Sequence, residues 1–221
     1  MLKKSGILLL LLLCIMGCKK QATDTPELYN AHDYFPLEEG VYWIHHLSFI
    51  TIDVAIGVYD STEMEIKTKF AGFDSSLDQY RLNRYFRLDS LDEWSDYDGV
   101  LVSWEGQSFL WYENNYRFLK LTDPVFEGKS WDGNSYNILA VSDYFYSALN
   151  TTFEIEGVLF ESTITVDKRN INNAIQKSRA YEVFAKGIGS VYEYDSDFSY
   201  QAGLLVYGNS KESKLIKFDI E

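Results

Sequence analysis

Cysteine and histidine are scarce in this sequence, and their scarcity excludes several kinds of chemistry. Only two of the 221 residues are Cys and only three are His. Cys14 and Cys18 both lie near the start, so the rest of the chain can form neither a disulfide nor a cysteine metal site. His45 and His46 are adjacent, and on a strand their rings would point to opposite faces. The sequence therefore predicts no metal site, no cofactor and no catalytic triad built on histidine.

Extended basic clusters and long hydrophobic runs are also missing. Asp and Glu outnumber Lys and Arg by 33 to 20, which gives a formal net charge of −13. A chain this acidic repels phosphate backbones, so we expect no nucleic acid partner. The apolar run at residues 7–15 is far shorter than the ~20 residues that a membrane-spanning helix needs.

The N-terminal stretch instead has the layout of a secretion signal with an anchor. Lys3 and Lys4 precede the apolar run, and Ile15-Met16-Gly17-Cys18 resembles the lipobox of bacterial lipoproteins. The resemblance implies cleavage before Cys18, a diacylglycerol on its sulfur, and a further acyl chain such as palmitate on its amino group. Cys14 does not fit, because bulky Leu13 stands where a small residue is required. We therefore predict a signal peptide at 1–17, a lipidated flexible tether at 18–30 and a folded domain at 31–221.

The folded part of the chain has the pattern of an all-β protein. Tyr (17), Phe (14) and Trp (5) are abundant, and aromatic residues favour strands. Apolar and polar residues alternate, as in residues 80–88, where Tyr80, Leu82 and Phe86 share a face and only Arg84 breaks the apolar row. The pattern predicts a single antiparallel domain of about 12 to 15 short strands. An open, curled barrel and a two-sheet sandwich both fit it.

Turn signals separate the predicted strands. Asp-Gly, Glu-Gly and paired Asn residues suit the tight turns of hairpins. We expect turns at Asp98-Gly99, Glu105-Gly106, Asn114-Asn115, Asp132-Gly133, Glu156-Gly157, residues 187–189 and Gly208-Asn209. Trp131, beside one of these turns, is predicted to be a buried core residue.

The motifs that approach known sites each fail at a required position. Residues 94–105 resemble a calcium loop, but Trp94 stands where an oxygen ligand is needed. GKSWDG at 128–133 lacks the glycines of a phosphate-binding loop and of a nucleophile elbow. We therefore predict no catalytic residue, and the ligand-binding residues stay unknown.

Two features keep a carbohydrate function open. Trp94, Trp104 and Trp111 lie in the most aromatic stretch and could form a stacking platform for sugar rings. A glycoside hydrolase would need a pair of carboxylates converging in a cleft with shifted pKa values, and the sequence singles out no such pair. Exposed, coplanar aromatic rings would favour the carbohydrate hypothesis.

Three stretches together resemble a family of Bacteroidota outer-membrane lipoproteins. They are YFPLEEGVYWI at 34–44, EGKSWDGNSYN at 127–137 and YEVFAKGIGSVYEY at 181–194. The family pattern has Tyr-Phe-Pro-Leu followed by Gly and Trp, then Gly-x-x-Trp-Asp-Gly-Asn, then Ala-Lys-Gly with a second Gly and a Val. This chain departs from it at His45, where Tyr is more usual. The resemblance implies a location and an architecture and no assigned activity.

These observations lead to one expectation with an alternative. We expect an outer-membrane lipoprotein, anchored through Cys18, that acts as a non-catalytic binding or structural module for an envelope protein or glycan. The alternative is a surface lipoprotein that binds or processes carbohydrate. Whether it would face the periplasm or the cell surface stays open.

Overall fold

Strands make up most of residues 28–220, the part of the chain that the computed structural model describes. A short 3-10 helix, Ala31–Tyr34, comes before them. The strands are β1 (Val41–Asp53), β2 (Val58–Asp74), β3 (Gln79–Arg87), β4 (Ser95–Glu105), β5 (Ser108–Glu113), β6 (Tyr116–Thr122), β7 (Ser130–Asp132), β8 (Asp143–Ile155), β9 (Val158–Asn172), β10 (Gln176–Ala185), β11 (Gly189–Gln201) and β12 (Leu204–Ile220). No helix within residues 28–220 has the length and hydropathy needed to span a membrane.

All twelve strands belong to one antiparallel sheet. Their order is β6-β5-β4-β3-β2-β1-β12-β11-β10-β9-β8-β7. Apart from β6 and β7, consecutive strands of the chain lie side by side, and β1 also pairs with β12 in the middle of the sheet. β6 and β7 follow one another in the chain but form the two edges of the sheet.

The two edges meet and nearly close the sheet into a barrel. The backbone N–H of Leu119 on β6 donates to the carbonyl of Gly133, just beyond β7, at 2.9 Å. The indole N–H of Trp131 donates to the carbonyl of Leu119 at 3.0 Å, and the side-chain amide of Asn137 donates to the carbonyl of Arg117 at 2.7 Å. The predicted single all-β domain is confirmed, with the curled barrel as its form and not the sandwich.

The 3-10 helix closes one end of the barrel. Ala31 and Tyr34 are buried, and the N–H of Gly187 in the β10–β11 turn donates to the carbonyl of Asp33 at 2.6 Å. The indole of Trp43, 2% exposed, donates to the carbonyl of Ile188 in the same turn at 2.5 Å. Gly189 has φ of 111°, and a Cβ there would lie 3.1 Å from that indole nitrogen. Two of the stretches that carry the family resemblance thus meet at this closed end.

Rows of paired residues carry both apolar and charged side chains into the barrel. Val166 pairs with Tyr146 on one side and Glu182 on the other, and Glu182 also pairs with Glu193. Directly paired residues lie on the same face of a sheet. Tyr146 and Val166 are fully buried, so this row of residues faces the interior of the barrel. Both glutamates belong to the row and therefore also face the interior.

Two predicted hairpin turns are wrong. Asp98 and Gly99 lie within β4, where Asp98 pairs with Arg84 and accepts hydrogen bonds from its guanidinium. Gly208 lies within β12, and the β11–β12 turn is at residues 202–203 instead. A Cβ on Gly208 would collide with the Phe198 ring, so this glycine is required for packing.

The strand lengths and Trp131 also differ from expectation. Within residues 28–220 there are twelve strands, as predicted, but β2 and β12 each have 17 residues and are far from short. Trp131 is only partly buried, because it lies at the seam between β6 and β7 and bonds across it. Its role is to join the two edges and not to fill the centre of the core.

Candidate functional site

A cavity of about 330 Å³ occupies the interior of the barrel. We call it the barrel cavity. Its lining residues come from both halves of the sheet and from the segment after the 3-10 helix. They are Phe35, Trp43, His45, Leu47, Phe49, Ile66, Thr68, Arg84, Tyr97, Phe109, Trp111, Glu113, Lys120, Glu182, Phe184, Ser190, Glu193, Lys211 and Ser213.

One side of the barrel cavity is an aromatic wall formed by Phe35, Trp43, Phe109 and Trp111. Phe35 is the centre of this wall, with ring centroids 4.5 Å from Phe109, 5.4 Å from Trp43 and 6.0 Å from Trp111. Phe109 and Trp111 are two residues apart on β5 and therefore share the inward face. Contacts between the rings hold them in place, so the wall is a fixed apolar surface.

Another side of the cavity carries a Lys/Glu cluster made of Lys120, Lys168, Lys211, Glu182 and Glu193. Lys168 donates to both glutamates, at 2.6 Å to Glu182 and 3.0 Å to Glu193. Lys120 donates to Glu182 at 2.8 Å, and Lys211 donates to Glu193 at 2.7 Å. Lys120 is on β6 and Glu182 is on β10, so their ion pair crosses the interior of the barrel and connects strands that are far apart in the sheet.

The strand pattern explains why these charged groups point inward. Lys168 continues the inward row of Ile164 and Val166, both of which are fully buried. It is also the extra residue of a β-bulge, because Ala180 pairs with Arg169 while Tyr181 pairs with Asp167. A bulge redirects a side chain locally.

The two glutamates stay ionised because of their neighbours. Burial on its own would raise the pKa of Glu182, but the charges of Lys120 and Lys168 outweigh it and lower that pKa below its ordinary value. Burial likewise opposes ionisation of Glu193, and Lys168 and Lys211 bring its pKa well below the ordinary value. The partners respond in the opposite sense, since the glutamates raise the pKa of Lys168 despite its burial.

The three histidines are dispersed, as the sequence predicted for the adjacent pair. His45 lines the barrel cavity with its Nε2 2.9 Å from the carbonyl oxygen of Ser190, whereas His46 lies near Glu63 on the other face. Burial lowers the pKa of His45, so its ring is neutral and donates to that carbonyl. His32 stacks on Trp104, with ring centroids 3.5 Å apart. Within residues 28–220, no three His, Cys, Asp or Glu side chains are grouped closely enough to hold a metal ion.

A second charged group lies around Arg84. Its Nη2 is 2.5 Å from Asp98 Oδ2 and 2.6 Å from Glu113 Oε1, and its guanidinium lies 5.4 Å from the centroid of the Tyr97 ring. Burial would lower the pKa of Arg84, but the two carboxylates outweigh burial and raise it. Arg84 was the one residue that broke the apolar row of β3, and that break marks a position facing the cavity.

The three tryptophans proposed as a sugar platform do not form one exposed surface, because Trp104 and Trp111 share a face of the β4–β5 hairpin and are partly buried against the core. Trp111 is in the aromatic wall, and Trp104 is covered by His32. Trp94 lies under the guanidinium of Arg87, 4.4 Å from the ring centroid. The predicted lipid site at Cys18 lies outside the described residues.

Sequence reasoning missed the Lys/Glu cluster. Its members are spread over five strands between residues 120 and 211, and no short motif joins them. One signal was present, since Lys168 stands two residues after Val166 and so falls on the inward face of a strand. Lys168 and Arg84 share one sequence signal: each is a charged residue at a position where the alternation of its strand predicts an inward-facing apolar residue.

Comparison with known proteins does not identify the chain. No family model matches it, and no curated protein sequence matches it either. The function must therefore be argued from the barrel cavity and from the patterns in the sequence.

Proposed function

We propose that this protein is a lipid-anchored envelope protein of a Bacteroidota bacterium whose barrel binds a small ligand without transforming it. The lipobox that ends at Cys18 and the three family-like stretches support the location. The barrel cavity supports the binding role. The sequence predicted a binding or structural module without locating its binding site. Here the ligand is held inside the barrel and not on its outer surface.

The observation that carries the binding role is the composition of the cavity. Ligand sites are concave, mostly apolar, and supplied with a few converging polar groups, with volumes of roughly 300 to 1,000 Å³. The barrel cavity has about 330 Å³, an aromatic wall, and the charged groups of Lys120, Glu182, Glu193 and Lys211. A core built only for stability would fill such a space with apolar side chains, because buried ion pairs contribute little net stability.

The state of the two glutamates favours binding over catalysis. Glu182 and Glu193 converge in the cavity, as a glycoside hydrolase would require. Such an enzyme needs one of the two carboxyl groups to hold a proton near neutral pH, which means a raised pKa. Both pKa values are lowered instead, so neither group is set up as a general acid.

A carbohydrate ligand is the second candidate, and one observation favours it. Trp43 and Trp111 line the same cavity as the charged groups of Arg84 and Glu113. Aromatic faces beside fixed hydrogen-bonding groups suit a sugar ring. Under this alternative a short glycan enters the barrel, in contrast to the surface platform of Trp94, Trp104 and Trp111.

The binding role can be tested by blocking the cavity. In the Leu47→Trp variant a larger ring projects into the barrel cavity, whereas in Ser48→Trp the same ring is on the adjacent residue and points to the other face. The full-length chain is isolated from its own membranes, and solvent extracts are compared by mass spectrometry. We expect a small molecule with the wild type and with Ser48→Trp, and its loss with Leu47→Trp. Equal extracts from all three chains would contradict a site inside the barrel.

The anchor has its own test. Mass spectrometry of the mature N-terminus should give a peptide that begins with acylated Cys18. Cys18→Ala should leave an unprocessed or mislocalised precursor, and Cys14→Ala should change neither processing nor location. A mature chain that begins at any other residue would contradict the proposed anchor.

A further inference from the structure

The Lys/Glu cluster is unequal in charge. Three ammonium groups, those of Lys120, Lys168 and Lys211, face two carboxylates, those of Glu182 and Glu193. Because the neighbouring His45 ring is neutral, the cluster has an excess of one positive charge. Arg84 and one of its two carboxylate partners, Glu113, line the same cavity, and this second group has the opposite excess.

Two of the three lysines are largely removed from water, whereas the third, Lys211, has a side chain that is 40% exposed. The side chains of Lys168 and Lys120 are 10% and 17% exposed. A buried charge without a counter-charge is strongly unfavourable, and proteins normally pair it or bind an ion against it. Within the Lys/Glu cluster, an anion beside the lysines would balance the local excess.

Two of the lysines are placed to hold such an anion. Lys120 and Lys211 both line the cavity, whereas Lys168 does not. Among the described residues, each of the two donates one hydrogen bond, Lys120 to Glu182 and Lys211 to Glu193, and the ammonium of Lys120 also lies 3.7 Å from Glu193. An ammonium carries three N–H donors, so both have donors left for a ligand.

The rest of the cavity limits the body of the ligand. The aromatic wall of Phe35, Trp43, Phe109 and Trp111 lines the same space. Phe35, Trp43 and Phe109 are already 6%, 2% and 0% exposed, so a ring or a short chain packed against the wall would gain apolar contacts that a free inorganic anion could not make. A ligand that uses both features joins an apolar body to an anionic head.

We propose that the barrel cavity binds a small amphipathic carboxylate, with its carboxylate held by Lys120 and Lys211 and its apolar body against the aromatic wall. This inference rests on the proposed binding function and names the class of its ligand. The carboxylate completes the charge of the cluster and accepts hydrogen bonds that are stronger than those of a neutral group.

The test compares three probes of nearly the same shape and different charge. Naphthylacetate is an anion, naphthylacetamide is neutral and naphthylethylammonium is a cation. Each is titrated by calorimetry into the full-length chain in lipid nanodiscs, with empty nanodiscs as the blank. We expect naphthylacetate to bind about tenfold to a hundredfold more tightly than the amide, as one charge-assisted hydrogen bond would give, and the cation to bind most weakly.

Substitutions test whether Lys120 and Lys211 cause the preference for the anionic probe. Lys120→Met and Lys211→Met should each reduce the preference for naphthylacetate over the amide at least severalfold and leave the affinity for the amide unchanged. Lys211, whose side chain is 40% exposed, is the variant more tolerant of change, and thermal unfolding verifies the fold of both. Lys177→Met is the matched control, because Lys177 is an exposed residue of β10 next to the Tyr200 ring and away from the cavity. It should bind all three probes as the wild type does.

The possible outcomes separate this inference from the function on which it rests. Equal affinities for the acid and the amide, both lost in Leu47→Trp, would overturn the anionic class and keep the binding role. A preference that survives in both Lys120→Met and Lys211→Met would overturn the assignment to these lysines. No binding of any probe would overturn the ligand class, and the comparison of extracts from the wild type, Leu47→Trp and Ser48→Trp then decides the binding role on its own.

Discussion

At the scale of single residues, Gly208 shows how closely the long strands pack. It lies within β12, and a Cβ on it would collide with the Phe198 ring and lie 2.8 Å from the carbonyl oxygen of Asp197. Neither the ring nor the backbone oxygen can move freely. Gly99, also within a strand, would place a Cβ at an ordinary 3.6 Å from the nearest atom, the carbonyl oxygen of Leu82.

This pair of glycines gives a matched prediction. We expect Gly208→Ala to lower the free energy of unfolding by about 1–3 kcal/mol, as overpacking does. Gly99→Ala should change it by less than about 0.5 kcal/mol, as a substitution without such a clash does. Urea unfolding followed by tryptophan fluorescence measures both. A loss of stability in Gly99→Ala as large as that in Gly208→Ala would contradict the packing argument.

Single residues also show what the sequence could and could not predict. The opposite facing of His45 and His46 followed from strand geometry, and the structure confirms it. The placement of Arg84 in the cavity could have been read from its break in an apolar row. The partial burial of Trp131 could not, because it depends on the seam between two strands that are edges only in the folded barrel.

At the scale of elements, the Lys/Glu cluster links β6, β9, β10, β11 and β12 and should give stability a dependence on pH. The pKa values of Glu182 and Glu193 lie below the ordinary value of 4.5. Their contribution to stability is therefore fully present above pH 4.5 and is lost as the pH falls through the lower folded values. The pKa values of Lys168 and Lys211 lie above the ordinary value of 10.5, so their contribution is full below that pH and is lost as the pH rises through the folded values.

The share of Glu193 in the acid side of this dependence can be measured with one substitution. In Glu193→Gln, the free energy of unfolding should be lower than in the wild type at neutral pH and should decrease less steeply below pH 4.5. The matched control is Glu63→Gln, an exposed carboxylate outside the cluster that should keep the wild-type slope. Urea unfolding at a series of pH values measures this. Parallel curves for Glu193→Gln and the wild type would show that the cluster does not contribute in this way.

Element type was easier to predict than element boundaries. Alternation of apolar and polar residues gave the strands, since a half-buried strand imposes a period of two. It failed where glycine within a strand was interpreted as a turn, at Gly99 and Gly208. In both places the contact is with the adjacent strand: Asp98, next to Gly99, pairs with Arg84, and Gly208 packs against Phe198. The alternation of apolar and polar residues does not reveal such contacts.

At the scale of the whole molecule, the curvature of the sheet creates the cavity. Alternation predicts which residues share a face but not whether that face closes on itself, so the barrel and the sandwich were equally compatible with the sequence. The seam formed by Leu119, Gly133 and Trp131 decides the outcome. Closure then brings Lys120 opposite Glu182, a pair separated by 62 residues in the chain, and this is why the cluster was not foreseen.

The central claim is that the barrel cavity is a ligand site, and fluorine NMR on labelled tryptophan tests it most directly. The chain has five tryptophans, of which Trp43 and Trp111 line the cavity, whereas Trp94, Trp104 and Trp131 do not. Fluorotryptophan is incorporated into the full-length chain, and each signal is assigned with a Trp→Phe variant. On titration with naphthylacetate and naphthylacetamide, the signals of Trp43 and Trp111 should shift with one common affinity while those of Trp94 and Trp131 stay in place. Unchanged signals for Trp43 and Trp111, or shifts confined to Trp94 and Trp131, would contradict a ligand site within the barrel.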